Sequence, residues 1–380
     1  MNFFSIGGRP KTRRRKQKLE KSVKNKTTQK RARVTRESPP APPRPIRKPQ
    51  KNEVFKRKVD PVVSVTDENG VKVYHVRKIM TDKAIADKIS EYFPSSHYSL
   101  VVKEDTDVWG VDEDGNREKL LVKFRKGVIP EKHCRAGIAN LKKAAMKRHD
   151  NRGAAAGPID LKKMPLYAND ASKFVKKSKF RILAYVSKET GKLVNNSLGN
   201  QSTSNIIGYF DKPDRNIKVN PPPCRETAFT SQQVNKWKNS IPLIESIDRE
   251  FKRLIPDRHS VQYKRAHETP FVISDTAFST VTINYNWRTG LHTDKGDLTE
   301  GFGNLVVLEE GDYEGGYTGF PQYGICVDAR HGDFLGMNVH EWHCNTEIRP
   351  KTKDYTRLSL VCYLREKMVR CKGLELPDNN

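Results

Sequence analysis

The sequence has no run of about 18 apolar residues, the length a membrane-crossing helix requires, so no membrane span is expected. Its start, Met1–Pro10, meets charged residues without an apolar stretch, so no secretory signal is expected either. The six cysteines (Cys134, Cys224, Cys326, Cys344, Cys362 and Cys371) include no CxxC pair. Their spacing suggests neither a disulfide framework nor a zinc ligand set, so reduced thiols inside a cell are the expectation. There is no internal repeat. The glycines of Asn151–Pro158 are too sparse to cradle a phosphate, and that stretch reads as a flexible connection. Acidic residues are scarce at the start: residues 1–60 hold 21 Lys and Arg against 4 Asp and Glu, while the other 320 hold 50 against 41.

Most of the net charge of +26 therefore belongs to the first 60 residues. These read as a disordered basic tail. Basic clusters at 13–16 and 30–33 precede the proline-rich Ser38–Pro45, which cannot bury enough apolar surface to offset its ordering entropy. Such an arm serves nucleic-acid binding or nuclear import, and a merely solubilising tail has the same composition. Hydrophobic residues make up 35% and charged residues 31% of the chain, which suits a globular body with a polar appendage.

Residues 61–220 read as a mixed α/β region, either a recognition domain or a structural extension of the C-terminal half. Val62–Val65 and Val71–Val76 flank Asp67-Glu68-Asn69-Gly70, a hairpin signal. A second hairpin joins Val108–Val111 to Leu120–Phe124. Helices are expected over 80–92 and 131–148, and strands over 180–186 and 206–210. After Pro221-Pro222-Pro223, Trp237, Ile241, Ile244, Ile247, Phe251 and Leu254 form an apolar stripe at helical spacing. Pro242 should kink that helix or divide it. From Thr280 onward short β-branched segments separated by glycines predict strands of an antiparallel barrel or sandwich.

Leu291-His292-Thr293-Asp294-Lys295-Gly296-Asp297 is the chemical centre of this region. On a strand His292 and Asp294 share a face. A third ligand from a distant strand would complete a two-histidine, one-carboxylate iron site with open positions. Asn338–Thr346 offers His340 and His343; three apart, they fall on opposite faces of a strand, so one of them is the ligand. In Thr356–Tyr363 a strand carries Arg357, and Ser359 shares its face. A buried arginine needs an anion; a dicarboxylate cosubstrate held in a fork is one, an internal Asp or Glu another.

The HxD, the distal histidine and the Arg-x-Ser strand resemble the 2-oxoglutarate/Fe(II) dioxygenases. His343-Cys344-Asn345-Thr346 with Arg357-Leu358-Ser359-Leu360-Val361-Cys362-Tyr363 is similar to the TET/JBP branch, which oxidises the 5-methyl group of pyrimidines in DNA. Phe320–Gly324 and Gly332-Asp333 look like the intervening strands. The likeness spans about Cys224 to Arg365, with residues 1–200 outside it. It implies an α+β fold: a double-stranded β-helix (jelly-roll) dioxygenase core with flanking helices over 221–368, then a C-terminal tail over 369–380. It implies His292, Asp294 and His343 as Fe(II) ligands and Arg357 with Ser359 as the 2-oxoglutarate anchor. Asn284, Arg288 and Arg225 are further candidates near the cosubstrate. Asp297 stands where the family places a residue that hydrogen-bonds the flipped base, and Tyr363 where one lines the base pocket. Arg365 stands where some members have histidine. An acceptor at Asp297 suits the exocyclic amine of cytosine, which favours 5-methylcytosine slightly over thymine. The implied partners are DNA and O2, in a nuclear or otherwise DNA-associated intracellular setting. Two rivals are the same chemistry on RNA or a protein side chain, and a non-catalytic nucleic-acid-binding module.

Overall fold

The computed structural model describes residues 47–48, 50–56, 59–161, 173–212 and 223–374. The basic clusters and proline-rich stretch of the expected tail lie outside them. Residues 50–56, expected within the tail, are placed in the fold. Asn52 accepts from the backbone N–H groups of Lys103 and Glu104 at 2.7 and 3.2 Å and donates to Thr106 Oγ1 at 2.9 Å. That clamp seats strand β1 (Glu53–Val54) against β4 (Leu100–Val102).

Both expected hairpins form. The first is β2 (Val62–Glu68) and β3 (Val71–Val76). Asn69 and Gly70 both take positive φ, 55° and 78°, the conformation a two-residue hairpin turn requires. The second is β5 (Thr106–Val111) and β6 (Arg117–Arg125). Further strands are β7 (Ser202–Phe210), β8 (Thr280–Tyr285), β9 (Gly303–Glu310), β10 (Thr318–Phe320), β11 (Ile325–Val327), β12 (Phe334–Met337), β13 (Cys344–Asn345) and β14 (Thr356–Tyr363). One large sheet runs β7-β8-β14-β9-β12-β6-β5-β3-β2, with short strands at Arg225–Glu226 and Arg148–His149 paired to β7. A smaller sheet runs β1-β4-β11-β10-β13. Strands from residues 61–220 thus lie in both sheets beside strands from 221–368.

Alternation along the central strands explains the layers. On β14, Leu358, Leu360 and Cys362 face one way, into a cluster with the helices; Arg357, Ser359, Val361 and Tyr363 face the other. On β9, Val306 and Leu308 join the helical cluster, while Leu305 and Val307 join the cluster between the sheets. The helical layer comprises α2 (Glu131–Ala145), α4 (Val234–Leu254) and α5 (Pro256–Ala266), with short α1 (Asp82–Ala86) and α3 (Ala228–Gln232) elsewhere in the chain. Gly137 marks the closest approach of α2 to α4, since a Cβ there would sit 2.5 Å from Leu243.

Several expectations are corrected. The helix over 80–92 stops at Ala86, because Ser90 and Glu91 leave it to exchange backbone hydrogen bonds with Leu291. Pro242 does not divide α4, which runs unbroken through it. The loss of one helical bond costs about 3 kcal/mol, whereas each fully buried side chain such as Leu243, Ile244, Ile247 and Phe251 contributes about 1.5–3 kcal/mol. Cys224 and Cys371 form a disulfide, with Cα atoms 6.1 Å apart and a sequence separation of 147. No local spacing signals such a pair. The other four cysteines are buried thiols outside any disulfide. Cys371 is itself in the core, so residues 369–371 belong to a 3-10 turn over Glu366–Cys371 and not to a tail.

Candidate metal centre and cavity

The HxD does not lie on a regular strand. His292 and His343 exchange both backbone hydrogen bonds at 3.0 Å as an isolated antiparallel bridge, and the Asp294 N–H donates to Val339 O at 3.0 Å. Tertiary stitching to 339–343, not the two-residue period of a strand, brings the three side chains together. Their ligand atoms all lie within 4.8 Å of one another. His292 Nε2 is 3.7 Å from one Asp294 oxygen and His343 Nε2 is 3.6 Å from the other.

Each imidazole is oriented from behind. His292 Nδ1 donates to Gly290 O at 2.8 Å and His343 Nδ1 to Glu341 O at 2.9 Å. A carbonyl only accepts, so Nδ1 carries the proton and each Nε2 turns its lone pair to the common point. Burial, with His343 alongside, pushes His292 down to about 4 against the opposing pull of Asp294. Its imidazole is neutral at neutral pH. Burial alone would raise the Asp294 carboxyl, but the close imidazoles of His343 and His292 and the Arg152 guanidinium hold it below the usual carboxylate range. Two neutral imidazoles and one carboxylate on one face are the donor set that suits a divalent iron with open positions. His340 is not part of the cluster: its Nε2 lies 3.1 Å from Leu298 O.

The cluster opens into a cavity of about 330 Å³. Ser359, Val361 and Tyr363 line it from β14, and Asn284 and Thr282 from β8. Arg357 lies one step further along the same face of β14, fully buried. Its Nη2 donates to Gly316 O at 2.9 Å, while its Nε has no partner. No carboxylate among the described residues lies within ion-pair distance of it, so the internal-acid reading of Arg357 finds no support. A buried guanidinium with a spare N–H, beside the Ser359 hydroxyl, fits the far carboxylate of a dicarboxylate.

Asn284 Nδ2 donates to Ser359 Oγ at 3.3 Å, and its Oδ1 accepts from Ser204 Oγ at 2.6 Å. Ser204 in turn accepts from Arg152 Nε at 2.7 Å. Arg152 lines the cavity with Asn151, Ala154 and Ala155, so the stretch read as a flexible connection is a wall of the site. The Gly290 N–H donates to Ala155 O, tying this wall to the HxD loop. Nothing in the local sequence marks Arg152; it is 140 residues before His292.

Asp297 and Tyr363 both line the cavity, as does Arg365. Burial pushes the Asp297 carboxyl well up and the Asp294 charge adds to this, with Arg365 opposing. Arg365 pairs with Asp211 at 2.5 Å and lies over the Phe210 ring, 4.7 Å from its centroid. Two candidates fall elsewhere. Arg288 donates to Asn345 O and Phe93 O at 3.1 Å each and sits over the Tyr92 ring, so its guanidinium is occupied outside the cavity. Arg225 donates to Glu226 O and faces Phe210.

Residues 205–366 match the family described as Tet_JBP, the oxygenase domain of the 2OGFeDO superfamily. This stretch is a TET/JBP oxygenase domain. Thymine dioxygenase JBP1-B of Trypanosoma cruzi (strain CL Brener) is 36% identical over 170 residues, 43% of this chain and 19% of that protein. The bifunctional helicase and thymine dioxygenase JBP2 of Leishmania braziliensis is 28% identical over 278 residues, 73% of this chain and 21% of that protein. A solved structure of NgTET1 in complex with 5mC DNA has a TM-score of 0.43 and 12% identity, over 77% of this chain and 93% of that one. The chain spans about a fifth of the length of the curated relatives it matches. An alignment of 278 residues is longer than everything after residue 200, so the likeness to JBP2 reaches back beyond the TET/JBP domain, into a region expected to lie outside it. The superfamily's cofactors are Fe(II) and 2-oxoglutarate, and the donor set and the unpaired Arg357 suit them.

Proposed function

We propose that this chain oxidises the 5-methyl group of a pyrimidine in DNA. The observation that carries the reading is the His292–Asp294–His343 cluster, half-buried in a cavity whose wall strand bears Arg357 and Ser359. Bound iron, with 2-oxoglutarate and O2, supplies the oxidation that turns a methyl C–H into C–OH while 2-oxoglutarate leaves as succinate and CO2. The chain's own residues hold and aim the reactants. His292, Asp294 and His343 are the iron ligands, and Arg357 with Ser359 anchors the cosubstrate carboxylate. Asn284 keeps the Ser359 hydroxyl directed. The two sheets then form the double-stranded β-helix of this superfamily, and residues 61–220 extend it rather than forming a separate recognition domain.

The target base must leave the duplex to reach so enclosed a site, at a cost of a few kcal/mol. Tyr363 offers a ring for it and Asp297 a carboxyl. The relatives are named thymine dioxygenases, which moves the preferred substrate from 5-methylcytosine to thymine. A protonated Asp297 would donate to thymine O4, and an ionised one would accept from cytosine N4. The activity places the chain wherever DNA is, a nucleus included.

The test is incubation with Fe(II), 2-oxoglutarate and duplex DNA carrying thymine alone or 5-methylcytosine, followed by nucleoside mass spectrometry. Hydroxymethyluracil or hydroxymethylcytosine is the expected product. Succinate release with neither base would overturn the DNA reading and leave RNA or a protein side chain as the substrate.

A further inference from the structure

Beside the cavity stands a lobe that belongs to neither of the two main sheets. Lys176–Lys177, Arg181–Val186, Leu193–Val194 and Leu198–Gly199 form a sheet of four short strands. It has its own small core of Phe174, Ile182 and Tyr185, with Ile159 and Leu198 packed against it. Its composition differs from the rest of the folded chain: residues 173–200 hold seven Lys and Arg against one acidic residue.

The base of this lobe is fixed to the cavity wall. Asn200 Nδ2 donates to Ala156 O at 3.1 Å and to Pro158 O at 2.6 Å, and Gly199 packs on Asp150 O. These carbonyls bracket Asn151–Ala155, the wall that carries Arg152. Two of the basic groups at this end have structural partners. Lys179 pairs with Glu91, and Arg181 Nε donates to Ser197 Oγ.

At the opposite end the basic groups differ. Lys173, Lys176, Lys188 and Lys192 are exposed, and no carboxylate lies within 4 Å of them among the described residues. Lys176 is opposite Ala184, and the turn of the hairpin falls between Ser187 and Lys192, so these four share the far half of the lobe. Val175 and Leu193 are exposed among them, 61% and 56%. Elsewhere some exposed lysines have acidic neighbours, as in Lys72–Asp67, Lys78–Asp82 and Lys351–Glu314, and others, such as Lys143, Lys238 and Lys264, have none among the described residues; the lobe is set apart by gathering four such groups in a segment with a single acidic residue. Five residue steps of strand separate Arg181 at the base from Val186 at the tip, roughly 17 Å at 3.3 Å each.

We propose that this lobe is an arm that grips the phosphate backbone of the duplex flanking the base held in the cavity. The inference rests on the proposed action on DNA. Four ammonium groups without a carboxylate partner among the described residues, on a lobe anchored to the wall of a site that takes a polyanion, are a sequence-independent phosphate clamp. At about 3.4 Å per phosphate along a strand, an arm of this length spans roughly five phosphates.

The test uses the full chain with Lys173, Lys176, Lys188 and Lys192 all changed to Gln, and a second variant with Arg at the same positions. A third changes Lys236, Lys238, Lys252 and Lys264 in the helical layer to Gln. Binding to a duplex with about ten base pairs on each side of a thymine is followed from about 50 to about 200 mM salt. The lobe Gln variant should lower the salt slope by about 3–4, and so bind at least tenfold more weakly at the low-salt end. Its turnover of a short single-stranded oligonucleotide should be unchanged, and the Arg variant and the helical variant should keep the wild-type slope. With the wild-type chain binding and oxidising DNA, an unchanged slope in the lobe Gln variant overturns the arm and leaves the enzymatic reading intact. So does an equal loss in the helical variant, or a loss seen with single-stranded RNA and not with the duplex. A wild-type chain that neither binds nor oxidises DNA overturns both.

Discussion

The imidazole of His343 is aimed by the backbone of Glu341: Nδ1 donates to the Glu341 carbonyl at 2.9 Å. The Glu341 carboxylate is in turn held by Lys119 Nζ and Tyr323 Oη, both at 3.1 Å. Lys119 comes from β6, so the region before residue 220 helps to set the geometry of a proposed metal ligand more than 200 residues later.

Changing Lys119 to Met should therefore weaken metal binding. Removing one partner of a largely buried pair leaves the other charge uncompensated, and loss of an outer-shell partner typically lowers metal affinity about 10–100-fold. Calorimetric titration with Mn(II) or Co(II) reads this directly. An affinity within twofold of wild type would show that Glu341 needs no such support.

The cluster itself makes a simpler prediction. At a metal concentration about 100 times Kd, the wild-type chain should gain about 2.7 kcal/mol of stability over the metal-free form. Asp294→Ala should gain almost none, since the two remaining imidazoles make an incomplete site. Thermal melts with and without Mn(II) compare the two, and an equal rise in Tm would remove Asp294 from the ligand set.

Arg357→Lys keeps the charge and loses the fork. Lysine cannot present two parallel N–H groups to one carboxylate, so half-saturation with 2-oxoglutarate should move up at least tenfold, about 1.4 kcal/mol or more. Succinate release against cosubstrate concentration measures it. A selective rise in KM would support anchoring, whereas a fall in kcat alone would point to another role.

Arg152→Ala should impair the site from its far wall. It strands Ser204, whose hydroxyl then supports Asn284 without its own donor. Unsatisfied buried polar groups cost about 1–3 kcal/mol each. Both lowered stability and at least a tenfold drop in kcat/KM are expected. Gly157→Ala tests the same wall independently: φ is +82° and a Cβ would lie 2.0 Å from Tyr92 Oη, so the loop must shift. Wild-type turnover in both variants would show that the wall is passive.

Much of the site was legible because its members are chemically unusual where they stand. A histidine two residues from an aspartate, and an arginine on an otherwise apolar strand, stand out in any reading. The hairpins were legible for a local reason too, since Asn69-Gly70 encodes its own turn. Arg152 was not, because an arginine after an asparagine in a stretch of small residues looks like any loop. Arg288 misled for the mirror reason: it is near the HxD in sequence, yet its guanidinium is taken by the carbonyls of Asn345 and Phe93. The Cys224–Cys371 pair was also hidden, since nothing local records that residues 147 apart will meet.

The sequence alone determined the chemistry on offer: two imidazoles, a carboxylate and a buried guanidinium, with the alternation that puts Arg357, Ser359 and Tyr363 on one face of β14. The tertiary structure decided how these meet. An isolated backbone bridge between His292 and His343, not a strand, closes the metal cluster, and a wall from residue 152 closes the cavity. Periodicity acts over a few residues and can be read from them. Long-range closure depends on which surfaces bury best against one another, and only the packed chain settles that.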